Sequence, residues 1–175
     1  MVAPVAWFPF KSKLFGRYGT FAQAPDKEHR HGIDIYHPRF LPIPKLGMNM
    51  APTLMYRGVC AFMQKLVQEI GPFDVLDAHY FYPDGVAAVR LAKDLGLPVT
   101  VTARGTDLSL IPNFPRPRRQ IKAAAEAAEA IITVCNALQA PLLELGIEPG
   151  KITTMRNGVD LDIFSPRDRA LARQK

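Results

Sequence analysis

Four short polar segments in this chain each follow an apolar run that predicts a β-strand. They are rich in histidine, arginine, aspartate, asparagine and glycine, and they span residues 79–85, 104–107, 135–136 and 156–160. Such residues can hold phosphate groups and sugar hydroxyls through charge-assisted hydrogen bonds. Because ligands in open α/β sheets bind beside the carboxyl ends of the strands, we expect one binding site along a single rim of the sheet.

Each segment also has a structural interpretation that the sequence leaves open. His79 could bond to a backbone carbonyl at its strand end, or it could form a pocket wall with the three aromatic residues that follow it. Asp84 is placed to cap the next helix. Residues 104–105, an arginine and a glycine, could form a turn or contact a phosphate or sugar. Residues 157–158, Asn and Gly, are a common tight-turn pair.

Several catalytic signatures are absent from the sequence. No glycine-rich dinucleotide fingerprint, phosphate-binding loop or serine nucleophile elbow occurs, which argues against three large enzyme classes. The four histidines form no helical pair of metal ligands, so no metal site is predicted. Cys60 and Cys135 are too far apart in sequence for a short metal-binding motif, and we expect both to be reduced.

Composition predicts one globular domain in the cytoplasm. The chain has 175 residues, 48% of them hydrophobic, and no apolar run approaches the roughly 20 residues that cross a bilayer. There are 22 lysines and arginines against 16 acidic residues, an excess that suits contact with phosphates. Residues 116–122 carry four of these basic groups, which could form a solvated helix face or bind an anionic membrane surface or phosphate. Basic and aromatic residues are not interleaved, so no nucleic-acid partner is predicted.

Hydrophobic periodicity predicts the elements that position this rim. Residues 1–7 and 32–37 indicate two short strands. From residue 51 onward, helical and strand patterns alternate: helices at 51–70, 84–95, 115–129 and 136–145, the last capped by Asn136, and strands at 74–78, 98–103, 131–134 and 151–155. Strands that alternate with helices of this length predict an α/β fold with an open, parallel, Rossmann-like sheet and flanking helices.

The ordered set of strand-end motifs resembles a known enzyme family. The motifs are DAHYFYPDG at 77–85, TARGTD at 102–107, IITV at 131–134 and RNGVDLDIFSP at 156–166. In order and spacing they resemble the N-terminal half of family 4 (group 1) glycosyltransferases. The resemblance implies the GT-B architecture, in which two Rossmann-like domains face each other across a cleft.

The resemblance also implies a division of roles among the rim residues. The acceptor and sugar side would comprise His79, Tyr82, Asp84, Arg104, Gly105 and Asp107. The donor side, near the crossover into a second domain, would comprise Asn136, Arg156, Asn157, Gly158 and Asp160. Many family members have a histidine facing the reacting sugar where this chain has Arg104. An arginine can hold phosphate or hydroxyls but cannot carry a proton near neutral pH.

The resemblance covers only part of the family's architecture. It implies that the chain begins within the second strand, so that the first strand, its glycine-bearing loop and the first helix lie outside it. Residues 1–156 would form an incomplete acceptor-side domain, and residues 157–175 would cross toward an absent donor-binding domain. The family's paired glutamates belong to that second domain, so the catalytic residues are unknown here, and neither a metal nor another cofactor is implied.

The resemblance predicts the reaction of the intact enzyme. It would transfer a sugar from a nucleotide-sugar to a glycan or lipid-linked acceptor with retention of configuration, in cell-envelope or exopolysaccharide biosynthesis. We expect it in the cytoplasm, peripheral to the cytoplasmic face of the membrane, and we expect this chain alone to be inactive. The alternative hypothesis is a non-catalytic module that binds a phosphorylated glycan or anionic lipid, or that pairs with a separate donor-domain chain.

Overall fold

The computed structural model describes residues 1–10, 12, 14, 16–42, 47–166 and 168–173. Its strands and helices, in chain order, are β1 (Val5–Ala6), α1 (Arg17–Phe21), β2 (Lys27–Arg30), β3 (Ile33–Tyr36), β4 (Arg39–Phe40), α2 (Gly47–Ile70), β5 (Leu76–His79), α3 (Val86–Leu95), β6 (Val99–Ala103), α4 (Thr106–Ser109), α5 (Pro115–Ala127), β7 (Ala130–Thr133), α6 (Gln139–Glu144), β8 (Ile152–Thr154) and α7 (Arg169–Ala172). Four strands form the main sheet, which is parallel throughout and has the order β5-β6-β7-β8. This arrangement confirms the predicted parallel α/β sheet with flanking helices.

Apolar residues that share one face fix the register of the main sheet. Ala78, Val101, Ile131 and Ile152 are partners across its four strands. This face packs against residues of α3, α5 and α6 in the main hydrophobic core, where Val101 and Ile131 have no exposed surface. A slip by one residue would turn these side chains away from the helices, so burial specifies the pairing.

The second face of the main sheet is polar and exposed at β5. Asp77 and His79 of β5 are exposed, and Thr100 of β6 is half-buried. Successive side chains of a strand point to opposite faces, so valine and threonine alternate between the two faces in β6, where Thr100 is half-buried and Thr102 is buried. The polar residues of the candidate site begin on this second face.

A smaller unit precedes the main sheet. β2 and β3 form an antiparallel hairpin, and β1 pairs in parallel with β4. The Ala3 N–H donates to the Tyr36 carbonyl at 2.8 Å, and the Tyr36 N–H donates to the Met1 carbonyl at 2.9 Å. The strand predicted over residues 1–7 is shorter than expected and spans only Val5–Ala6, although its backbone hydrogen bonds extend from Ala3 to Trp7.

The long helix α2 joins the smaller unit to the main sheet. Its buried face carries the residues Pro52, Met55, Val59, Met63 and Leu66. A Cβ at Gly58 would lie 2.7 Å from both the Arg39 carbonyl oxygen and the Phe40 Cβ, so only glycine allows α2 to approach β4 this closely. Ile70, the last residue of the helix, is 59% exposed. No helix in the described ranges is both long enough and apolar enough to span a bilayer.

Two predicted helix caps are wrong. A tight turn over Phe81–Gly85 precedes α3, and no side chain caps that helix, so Asp84 is not its N-cap. Asn136 opens a short 3₁₀ turn, and α6 begins only at Gln139, without a side-chain cap. In both cases the residue predicted to cap the helix lies instead in a turn between the strand and the helix. Gly96 ends α3 in the left-handed conformation, with φ of 67°.

Candidate functional site

Five polar residues form a connected hydrogen-bond network at the carboxyl ends of β5 and β6. Thr100 Oγ1 donates to Asp77 Oδ1 at 2.8 Å, and His79 Nε2 lies 3.1 Å from Asp77 Oδ2. Arg104 Nη2 lies 2.6 Å from His79 Nδ1, and Arg104 Nη1 donates to Asn157 Oδ1 at 3.2 Å. Three of the four predicted rim segments therefore meet at one place.

The partners of His79 determine which of its ring nitrogens carries a hydrogen. A guanidinium group has N–H donors only, so His79 Nδ1 accepts from Arg104, and Nε2 carries the hydrogen that it donates to Asp77. The side chains of Asp77 and His79 are 52% and 50% exposed. A ligand can therefore reach the network from solvent.

Asp107 lies beneath this network and holds two loops together. It has no exposed surface. The Phe81 N–H donates to Asp107 Oδ2 at 2.8 Å, and the Gly105 N–H donates to Oδ1 at 2.7 Å. The backbone nitrogen of Arg104 lies 3.1 Å from both carboxylate oxygens. Gly105 has φ of 151°, which residues with side chains rarely adopt and which lets these N–H groups converge. Asp107 thus positions Arg104 from below.

Of two other predicted contact residues, Tyr82 is buried beside the rim and Asp84 is half-buried. Tyr82 is 3% exposed; its hydroxyl donates to the Met48 carbonyl and lies 3.0 Å from Gln120 Oε1, so that it joins α2 to α5. Burial raises the pKa of the Tyr82 hydroxyl. Burial also raises the pKa of the Asp84 carboxyl, with a smaller contribution from the negative charge of Asp107. Asp84 therefore holds its proton to a higher pH than a solvated aspartate does.

The predicted donor-side residues lie along the chain after β7 and β8. Asn157 accepts the hydrogen bond from Arg104. Asp160 closes a local turn, because its Oδ1 accepts the N–H groups of residues 162 and 163 at 2.9 and 3.2 Å. The remaining three are exposed: Asn136, Arg156 and Gly158. The structure therefore brings Asn157 into the network, whereas the side chain of Asp160 serves its own turn.

Sequence reasoning assigned no individual role to three residues beside the site: Asp77, Tyr80 and Thr106. Asp77 orients His79, and the signal available was their spacing, since residues two apart in a strand share a face. Tyr80 has φ of 81°, and its hydroxyl lies 2.5 Å from Thr106 Oγ1. No pattern in the sequence indicates that contact, because it joins two loops that only the folded sheet brings together.

The arrangement can bind an anion or a sugar. The Arg104 guanidinium lies between His79 and Asn157 and carries further N–H groups for phosphate oxygens or hydroxyls. Among the described residues, no group of three His, Cys, Asp or Glu is arranged to hold a metal ion.

Comparisons with known sequences identify related proteins. The sequence profile of Glycosyltransferase Family 4 matches residues 5–163. A D-inositol 3-phosphate glycosyltransferase of a Nocardioides species is 26% identical over 93% of this chain and 37% of its own length. A Bacillus subtilis glycosyltransferase, assigned by its name to teichuronic acid biosynthesis, is 25% identical over 66% of this chain and 29% of its own length. The chain thus spans less than half the length of the curated relatives it matches.

Comparison with solved structures identifies the same fold. HepE of Anabaena, solved in complex with UDP and glucose, superposes with a TM-score of 0.57 and 20% identity, over 82% of this chain and 37% of HepE. The shared fold agrees with the predicted likeness to one half of a GT-B glycosyltransferase. Because the family profile extends over most of the sequence, the chain belongs to glycosyltransferase family 4.

Proposed function

We propose that residues 1–156 form the acceptor-side domain of a retaining glycosyltransferase and that residues 157–175 cross toward a donor-binding domain. The intact enzyme transfers a sugar from a nucleotide-sugar to a glycan or lipid-linked acceptor in cell-envelope or exopolysaccharide biosynthesis. The observation that carries this proposal is the Arg104 network, which joins the rim of the main sheet to Asn157 in the segment after β8. A side chain in that position can contact both the acceptor and the crossover.

The names of the compared proteins support the substrate classes in this proposal. UDP and glucose were present in the HepE structure, which supports a nucleotide-sugar donor. The Nocardioides relative is named for a phosphorylated inositol acceptor, and the Bacillus relative for a polymer pathway. The retention of configuration rests on the family resemblance.

In the proposed mechanism, each rim residue acts on the acceptor side of the reaction. Arg104 holds a phosphate or neighbouring hydroxyls, and Asp107 fixes the backbone from which Arg104 extends. His79 accepts from Arg104 and is oriented by Asp77, so it limits the directions in which the guanidinium can turn. Arg104 itself supplies charge and direction but no proton.

We further propose that the start of α5 rests on the anionic cytoplasmic face of the membrane. Residues 108–125 contain no aspartate or glutamate. Beside the basic side chains, Leu110 and Phe114 are 52% and 43% exposed. The basic residues are themselves exposed: Arg116, Arg118, Arg119 and Lys122. Basic side chains next to exposed apolar groups favour binding to a charged lipid surface.

The central experiment measures sugar transfer and ligand binding with the purified chain. We expect no transfer from radiolabelled UDP-glucose to D-myo-inositol 3-phosphate. We expect the phosphate ester to shift the NMR signals of the Arg104 and His79 side chains. Arg104→Met abolishes the shift of the His79 signals, whereas Arg30→Met, which removes an exposed arginine of the hairpin, leaves it unchanged. Transfer by the chain alone would contradict the acceptor-side assignment, and identical shifts in both variants would contradict the role of Arg104.

The membrane contact has its own test. We expect the chain to sediment with vesicles of phosphatidylglycerol and not with vesicles of phosphatidylcholine, and we expect added salt to release it. A triple Arg→Glu variant at 116, 118 and 119 abolishes binding, and Lys65→Glu with Lys93→Glu serves as the control of basic residues on other helices. Binding that survives the triple change, or that ignores lipid charge, would contradict this contact.

A second candidate function is pairing with a separate donor-domain chain. Four apolar residues after β8 are between 62% and 75% exposed: Val159, Leu161, Ile163 and Phe164. Such a cluster favours burial against another protein surface. Stable co-purification with a separately expressed donor domain of family 4, lost on replacing Leu161 and Phe164 by serine, would favour this alternative.

A further inference from the structure

Thr100 and Asp77 face each other across two neighbouring strands of the main sheet. They are register partners of β6 and β5, and both lie on its polar face. Thr100 Oγ1 donates to Asp77 Oδ1 at 2.8 Å, whereas His79 Nε2 contacts the other oxygen, Oδ2, at 3.1 Å. Each carboxylate oxygen therefore has its own partner, which fixes the plane of the carboxylate although the Asp77 side chain is 52% exposed. Through His79, this series of hydrogen bonds continues to Arg104.

The two ends of this series of hydrogen bonds differ in how firmly the fold holds them. Thr100 lies in β6, which pairs with β5 on one side and with β7 on the other. Strands inside a sheet are among the last elements of a fold to open. Asn157, which accepts from Arg104 Nη1 at the opposite end, lies in the exposed segment after β8. Thr100 is therefore the fixed point from which the series extends to Arg104.

The Arg104 guanidinium gains most from such an anchor. Arg104 is exposed, and a long, flexible arginine side chain loses much rotamer entropy when a ligand fixes it. A contact that orders the side chain before the ligand arrives reduces this loss on binding. His79 Nδ1 supplies that contact, since Arg104 Nη2 lies 2.6 Å from it, and Asp77 holds the ring at its other nitrogen. Asp107 cannot do the same, because its contacts on this loop are with the backbone N–H groups of residues 104 and 105.

We propose that Thr100 is a positioning residue of the site, which acts through Asp77 and His79 to hold the Arg104 guanidinium at the rim before a ligand binds. Thr100 itself contacts no ligand. The effect on ligand affinity rests on the proposed function, whereas the ordering of Arg104 does not. Because the series starts inside the main sheet, it keeps the guanidinium in place even when the segment that carries Asn157 moves.

The test measures NMR relaxation of the Arg104 Nε–H group in the ligand-free chain and the affinity of the chain for D-myo-inositol 3-phosphate. Thr100→Val keeps the β-branched shape and removes the hydroxyl donor. We expect the order parameter of Arg104 Nε–H to fall below about 0.6, the range of flexible groups, and the affinity to fall about three- to tenfold. Thr100→Ser, which retains the hydroxyl, is expected to restore both. Thr153→Val, on the same face of the sheet in β8, is the matched control and should change neither.

A double-mutant comparison distinguishes positioning from a merely structural role of Thr100. Asp77→Ala removes the carboxylate and breaks the same series one contact nearer to His79. We expect it to reduce the order of Arg104 Nε–H at least as much as Thr100→Val does. Thr100→Val added to Asp77→Ala is expected to cause no further loss, because the hydroxyl then has no carboxylate to orient.

Four outcomes would overturn the inference. The first is an unchanged order parameter in Thr100→Val, and the second is a Thr100→Ser variant that behaves like Thr100→Val. The third is an equal loss of order in Thr153→Val, which would indicate a general effect on the sheet. The fourth is additive losses from Thr100→Val and Asp77→Ala. If the parent chain does not bind the phosphate ester, the proposed function fails, and the order parameters alone decide this inference.

Discussion

Replacing Asp107 by asparagine tests whether this buried carboxylate holds the loops of the site together. The carboxylate accepts N–H groups from Phe81, Arg104 and Gly105. Asparagine offers one acceptor oxygen in place of two. Its side-chain NH₂ is a donor and would face a backbone N–H with which it cannot form a hydrogen bond. Loss of a charged hydrogen bond costs about 1.5–3 kcal/mol and a buried unpaired donor about 1–3 kcal/mol, so we expect destabilisation of about 3 kcal/mol. In a chain of this length that lowers Tm by roughly 6–12 °C.

Urea unfolding at pH 7, followed by circular dichroism, measures this change in the free energy of unfolding. Asp160→Asn is the matched control, because Asp160 closes an exposed turn in which asparagine accepts the same N–H groups. We expect that control to stay within about 0.5 kcal/mol of the parent chain. If Asp107→Asn also falls within that range, the three N–H groups do not depend on the carboxylate, and the reasoning is refuted.

Three further changes probe burial and packing. Asp84→Asn is expected to stabilise the chain at pH 7. Because burial raises the Asp84 pKa, the ionised carboxylate lowers the free energy of unfolding at this pH. This penalty disappears as pH falls through the raised pKa toward the ordinary aspartate value. A stability difference between variant and parent that grows on acidification would contradict this. Gly58→Ala is expected to lower the free energy of unfolding by about 1–3 kcal/mol in thermal unfolding, since the added Cβ would clash with the backbone of β4. The control is Gly47→Ala in the same helix, whose Cβ meets nothing within 4 Å and should not destabilise the chain. Equal destabilisation by the two changes would refute the close approach of α2 to β4. Tyr82→Phe should cost about 1 kcal/mol by urea unfolding, because the hydroxyl joins two helices, and an unchanged midpoint would speak against that link.

The main sheet could be predicted because its pattern is local and repetitive. Each strand from β5 to β8 begins and ends within two residues of its predicted bounds, since apolar runs and glycine or proline stops coincide there. The β2 strand could not be predicted. Its residues, Lys27 to Arg30, are all polar, and it is held by pairing with β3 and by contacts such as the Lys27–Asp34 ion pair at 2.8 Å. Those contacts exist only once the hairpin has formed.

The location of the candidate site on the sheet could be predicted, but the structural role of each side chain could not. Parallel strands bring their carboxyl ends to one rim, and this put His79, Arg104 and Asn157 together. No pattern in the sequence indicates that Asp107 points inward and accepts backbone N–H groups, or that Tyr82 is 3% exposed. Side-chain direction at a strand end depends on the turn that follows, and both turns here have unusual backbone conformations at Tyr80 and Gly105.

The hydrogen bond from Arg104 to Asn157 has a thermodynamic consequence. It links the loop after β6 to the segment after β8 through one guanidinium group. If a phosphate binds Arg104, as proposed, it changes the strength of that hydrogen bond, and binding at the rim is then coupled to the position of the segment after β8. By reciprocity, any event that fixes Asn157 in place changes the affinity of the rim for its ligand by the same factor.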